Sequence, residues 1–153
     1  MRALLSIPLS VTLLSLFAIP ANGQNTNRLL GTWERIYVTN DSGVAMTNPT
    51  QPFLVVSADG FYAQVGFPPN RPKLTKPLAE YTKEELLARF RGGIGRFGKY
   101  TLSGARLTRT NVLNMDPAGT DAPASVQDIR WMGDTLSLLT VGNKGESRWI
   151  RAK

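Results

Sequence analysis

The 153-residue chain contains no cysteine and no histidine. Without cysteine there is no disulfide, no thiol nucleophile, no thiolate-bound metal and no lipid-modified cysteine at a cleavage site. Without histidine the usual general base near neutral pH and the commonest transition-metal ligand are gone as well. Acidic residues are few, 11 against 18 Lys and Arg. The sequence has no nucleophile elbow, no glycine-rich phosphate loop and no metal-ligand cluster, so it implies no cofactor and no metal. Internal repeats and low-complexity segments are missing too. The formal net charge is +7, but no basic run is longer than two residues. Such scatter describes a solvated surface with a leaning towards an anionic ligand, and not a nucleic-acid footprint.

Long apolar runs are also missing, except at the start. Met1-Arg2 carries one positive charge, Leu4 to Ile19 is apolar but for Ser, Thr and Pro8, and Ala21-Asn22-Gly23 supplies small residues. This is the pattern of a secretory signal peptide over residues 1–23. The run is short against the ~20 apolar residues of a membrane span. Cleavage before Gln24 would leave residues 24–153 as one exported domain, periplasmic or secreted. A domain of that size can hold itself together by core burial alone.

What is present is a series of strands. The founding segment is Arg28 to Thr39, with Gly31-x-Trp33 followed by the β-formers Ile36, Tyr37, Val38 and Thr39. Phe53 to Ser57 and Phe61 to Phe67 flank Ala58-Asp59-Gly60, a strong hairpin signal. Two registers fit it. A two-residue turn puts Leu54, Val56, Phe61, Ala63 and Val65 on one face, whereas Gly60 as a left-handed bulge residue pairs Val56 with Tyr62 and Leu54 with Gln64. Prolines make residues 68–81 a strand-free loop. Thr82-Lys-Glu-Glu85 then fits a capping box, opening a short helix that carries Leu86, Leu87 and Phe90 and stops at Gly92-Gly93. That helix reads as a plug or lid on the sheet, or as the cover of an edge.

Arg96 to Leu102 and Ala105 to Asn114 form a hairpin around Ser103-Gly104, with Leu102 opposite Ala105, Tyr100 opposite Leu107 and Gly98 opposite Arg109. The apolar face of this hairpin should point inward, and it carries Arg109 and Asn111 with it. An inward arginine is costly unless it is paired or meets a ligand. Ser125 to Met132 and Thr135 to Val141 form a third hairpin around Gly133-Asp134, with Ile129, Trp131, Leu136 and Leu138 on one face. Glu146 to Arg151 closes the chain. Asp128 is assigned outward and Glu34 alternates away from Trp33, so neither makes a carboxylate pair.

The expected fold is therefore all-β, an eight-stranded up-and-down antiparallel barrel with one short helix. The chain resembles the lipocalin-like domain family of bacterial proteins over nearly all of Leu29 to Arg151. The marks are Leu30-Gly31-Thr32-Trp33, Ala58-Asp59-Gly60, Gly98-x-Tyr100, Gly133-Asp134-x-Leu136-x-Leu138 and Trp149-x-Arg151. The resemblance implies a barrel of lipocalin or calycin type in which Gly31, Trp33 and Arg151 (or Arg148) are structural, the tryptophan closing one end with an arginine over it. Family members often carry histidine on the strand that here reads Leu107-Thr-Arg109-Thr-Asn111, and its absence puts any chemistry at that position in doubt.

The leading expectation is a non-enzymatic barrel holding a small apolar or anionic-headed molecule. Arg109 and Asn111 would be its polar groups, Tyr100, Trp131 and Tyr62 part of the wall, and Arg35 and Tyr37 further candidates because they share a face with Trp33. The alternatives are a barrel enzyme of isomerase or cyclase type, and a protein–protein accessory module whose barrel is filled by its own side chains. A void above ~300 Å³ would favour a ligand site.

Overall fold

The computed structural model describes residues 27–47, 50–71 and 73–153. The expected signal peptide, together with Asn48, Pro49 and Pro72, lies outside the described residues. The chain forms eight strands: β1 Gly31–Val38, β2 Phe53–Val56, β3 Phe61–Gly66, β4 Ile94–Ser103, β5 Arg106–Asn114, β6 Ser125–Met132, β7 Thr135–Thr140 and β8 Glu146–Arg151. Each pairs antiparallel with its sequence neighbour and β1 closes on β8, so the sheet is an up-and-down barrel without free edges. No helix among the described residues is long and apolar enough to cross a membrane.

Turn chemistry sets the registers. In the first hairpin Gly60 takes φ +86, a left-handed conformation open to glycine without a Cβ penalty. Val56 therefore pairs with Tyr62 and Leu54 with Gln64, the bulge register of the two expected. In the second hairpin the turn is Gly104-Ala105, between Ser103 and Arg106, with Gly104 at φ +60. This shifts the expected pairing by two residues. Leu102 faces Leu107, Tyr100 faces Arg109, and Gly98 faces Asn111 instead of Arg109. A shift of two preserves the side-chain faces, because the strand period is two. In the third hairpin Ile129 pairs with Leu138 and Trp131 with Leu136.

A bulge in β1 changes a face. Arg35 pairs with Trp149 and Tyr37 with Arg148, so Ile36 is an extra residue in β1. Arg35 stays inside with Trp149, but Tyr37, expected on the inner face, is turned outward, where the Arg148 guanidinium stacks 4.6 Å from its ring centroid. Alternation fails there because two residues of β1 oppose one of β8.

The interior is divided. One end is packed with apolar side chains around Trp33, including Leu29, Leu54, Leu107, Leu136 and Leu138. Trp33 is 1% exposed, and its indole N–H donates to the Leu29 carbonyl at 2.8 Å. Arg151 lies 3.9 Å from its ring centroid and donates to the carbonyls of Arg28 and Leu30. That path crosses Gly31, which sits at φ +117 and where a Cβ would run into Arg151 Nη1.

The helix α1, Lys83–Phe90, has the capping box: Glu85 N–H donates to the Thr82 hydroxyl and the Glu85 carboxylate accepts from Thr82 N–H. It is not a plug. None of its residues is buried, and the closed sheet has no edge for it to cover. It is held instead to its own connection, by Lys76 on Glu85 at 3.0 Å and Arg71 between Phe67 and Phe90.

Candidate functional site

The other end of the barrel is polar inside. Gln64 on β3, Arg109 on β5, Gln127 on β6 and Ser147 on β8 are all buried, and each follows from strand parity. Gln64 pairs with the inward Leu54, Arg109 with Tyr100, and Gln127 with the inward Leu107, while Ser147 pairs with Leu138. With Arg35, Arg96 and Trp149 these side chains line a cavity of about 140 Å³, bordered by Val38 at the end of β1, by Thr39 and Asp41 after it, and by Thr140 and Gly145 before β8. Those two connections are knitted at the mouth. Lys144 N–H donates to the Asp41 carbonyl at 2.9 Å, and the Thr39 hydroxyl accepts from Glu146 N–H at 2.8 Å. No residue of α1 lines the cavity.

A volume of about 140 Å³ is below the ~300 Å³ where pockets for drug-sized molecules begin. It is about ten times the ~10–15 Å³ that a single water requires. The barrel is thus neither hollow throughout nor filled throughout. It is packed at the Trp33 end and leaves a small polar chamber at the other.

Arg109 dominates the electrostatics. It is 9% exposed, and its Nη2 donates to Gln127 Oε1 at 2.6 Å and its Nη1 to Gln64 Oε1 at 3.4 Å. Its guanidinium carbon lies 5.2 Å from the Tyr62 ring centroid. All these partners are neutral, and no carboxylate pairs with it among the described residues. Burial pulls its pKa down to about 10, against a smaller raising influence from Tyr62, and Arg96 adds a lowering one. Arg35 is similar. Burial, then Arg96, lowers it to about 10, its Nη2 donates to the Thr50 carbonyl, and its guanidinium stands 5.8 Å from the Trp149 ring centroid. Both groups therefore stay charged at neutral pH. The Nε–H groups of Arg35 and Arg109 are buried without a hydrogen-bond partner among the described residues.

The expected site residues separate into four groups. Arg109 and Arg35 line the cavity. Tyr62 and Asn111 stand behind it: the Tyr62 hydroxyl, pushed up in pKa by burial, donates to Asn111 Oδ1, and Asn111 Nδ2 donates to the Gly119 carbonyl at 2.8 Å. Gly98 opposite Asn111 does not make room for Arg109, since a Cβ there would meet the Tyr62 ring at 2.9 Å. Tyr100 and Trp131 belong to the packed end, outside the cavity wall. The Tyr100 hydroxyl donates to the Ser57 carbonyl at 2.8 Å, and Trp131 lies 5.8 Å from Trp33. Tyr37 is on the outer face.

Sequence reasoning left out Gln64, Arg96, Gln127 and Trp149 as site residues. Parity could have found three of them: Arg96 shares a face with Tyr100, Gln127 with Ile129, and Gln64 with Leu54 once Gly60 is given the bulge. Among the described residues no three Asp or Glu side chains converge, so the arrangement offers cationic and amide donors and no cage for a metal.

No protein-family model and no curated protein matches the chain. Among solved structures it is similar to a mutant of the fluorescent protein UnaG, with 16% identity, 83% of this chain and 98% of that chain covered, and a TM-score of 0.40.

Proposed function

We propose that the mature chain is an exported barrel that binds a small, anionic-headed molecule in the polar chamber, without transforming it. One observation carries this reading: Arg109 is a buried cation whose partners are all neutral. Removing a guanidinium from water without a counter-charge is expensive, and an anion entering the chamber offsets that. Gln64 and Gln127 orient the fork, and Arg35 over Trp149 forms part of the wall. The lining is too polar to favour a purely apolar guest. A head seated in the chamber with the remainder reaching the mouth beside Asp41 and Gly145 suits its size.

The test is isothermal titration at low ionic strength with a panel of small anions, namely acetate, benzoate, malonate and sulfate. The reading predicts saturable one-to-one binding by at least one of them and its loss in Arg109→Met. Absence of binding across the panel, or equal binding by the variant, overturns it. Export is tested separately: N-terminal sequencing of protein recovered from the exporting cell should begin at Gln24, and an intact Met1 in that fraction would contradict it.

A further inference from the structure

We infer that the chamber is built for a small oxyanion carrying two negative charges, which deepens the proposed anion-binding reading and rests on it. Three guanidinium groups, Arg35, Arg96 and Arg109, line one small space. Two acidic residues share that lining. The Glu146 carboxylate is held away by Arg148 at 2.8 Å and by the Ser137 hydroxyl at 2.8 Å. That leaves Asp41 at the mouth as the acid set against three cations, a local excess of two positive charges.

The donors agree with the charge. Arg35 and Arg109 each present a buried Nε–H without a partner among the described residues, and their side chains enter the same cavity from β1 and β5. A monoanion can satisfy one guanidinium well. A doubly charged oxyanion can accept from both at once and offset both charges, and charge-assisted bonds of this kind are roughly twice as strong as neutral ones. Arg96, exposed beside the mouth and paired across the ladder with Gln64, adds the third charge without being buried. Its influence reaches the interior, since it lowers both Arg35 and Arg109. Tetrahedral anions such as sulfate or phosphate and short dicarboxylates such as malonate share this chemistry.

The experiment compares dianions with monoanions by titration calorimetry at one low ionic strength. Sulfate and malonate should bind at least about tenfold more tightly than acetate and nitrate. Phosphate should tighten as pH rises through its second ionisation, while sulfate shows no such rise. In Arg96→Gln the gap between sulfate and acetate should narrow. In Lys99→Gln, which removes the same charge from the outer face opposite Phe61 and Thr110, the gap should remain. If acetate binds as tightly as sulfate and both are lost in Arg109→Met, this inference fails while the anion-binding reading stands. If the gap narrows equally in both charge variants, long-range field and not the chamber sets it, and the inference fails. If no anion saturates, both fail.

Discussion

Arg109 and Gly31 are the two residues on which most of this molecule's logic turns, and each is explained by what lies against it. Gly31 combines a left-handed φ of +117 with the passage of the Arg151 guanidinium on its way to the Leu30 carbonyl. Gly31→Ala should therefore destabilise the fold by more than about 1 kcal/mol, because a Cβ is strained at that φ and also displaces Arg151; urea unfolding measures it, and an unchanged midpoint would contradict the contact. Much at this scale is legible in the sequence. Arg109 points inward in either register of its hairpin, since moving the turn from Ser103-Gly104 to Gly104-Ala105 slides the pairing by two and leaves parity intact. Tyr37 is not legible, because nothing in Arg35-Ile36-Tyr37 announces that Ile36 will be an extra residue. Trp131 reads correctly as an inward residue, but parity gives a face and not a height along the barrel, and its height places it beside Trp33.

The elements differ in how far they contribute to the fold. Helix α1 forms because its capping box satisfies its first turn, yet it buries nothing, with Leu87 56% exposed. Leu87→Ala should change unfolding free energy by no more than about 0.5 kcal/mol; a loss of 2 kcal/mol or more would mean that the helix packs on the barrel. The β7–β8 hairpin is different, because Glu146 ties Arg148, Ser137 and the Thr39 connection together at the chamber mouth. Its carboxyl is held below the usual carboxylate range, first by the Arg148 hydrogen bond and then by Ser137 against a raising effect of burial. The folded chain thus binds this proton less readily than the unfolded one. The contribution is present above the unfolded carboxylate pKa and is lost as pH falls through the folded value. Glu146→Gln should flatten the acid limb of the stability–pH curve, and a limb of unchanged steepness would contradict this.

At the scale of the whole molecule, closure and division of the interior are separate achievements. Closure was readable, since eight strands with turn signals at Asp59-Gly60, Gly104 and Gly133 leave few alternatives to a meander. The division was not. That one end is packed around Trp33 and the other holds Arg35, Arg109, Gln64 and Gln127 depends on strand tilt and stagger, which local pattern does not encode. On the proposed reading, the uncompensated charge of Arg109 costs stability that a bound anion restores. The most direct measurement is urea unfolding of the wild-type chain and Arg109→Met, each with and without sulfate. The account predicts that Arg109→Met is at least as stable as wild type without sulfate, because it removes an uncompensated buried charge. At one hundred times the dissociation constant the wild type should gain about 2.7 kcal/mol and the variant nothing. A variant that loses several kcal/mol without sulfate, or gains as much from it as the wild type, would contradict the account.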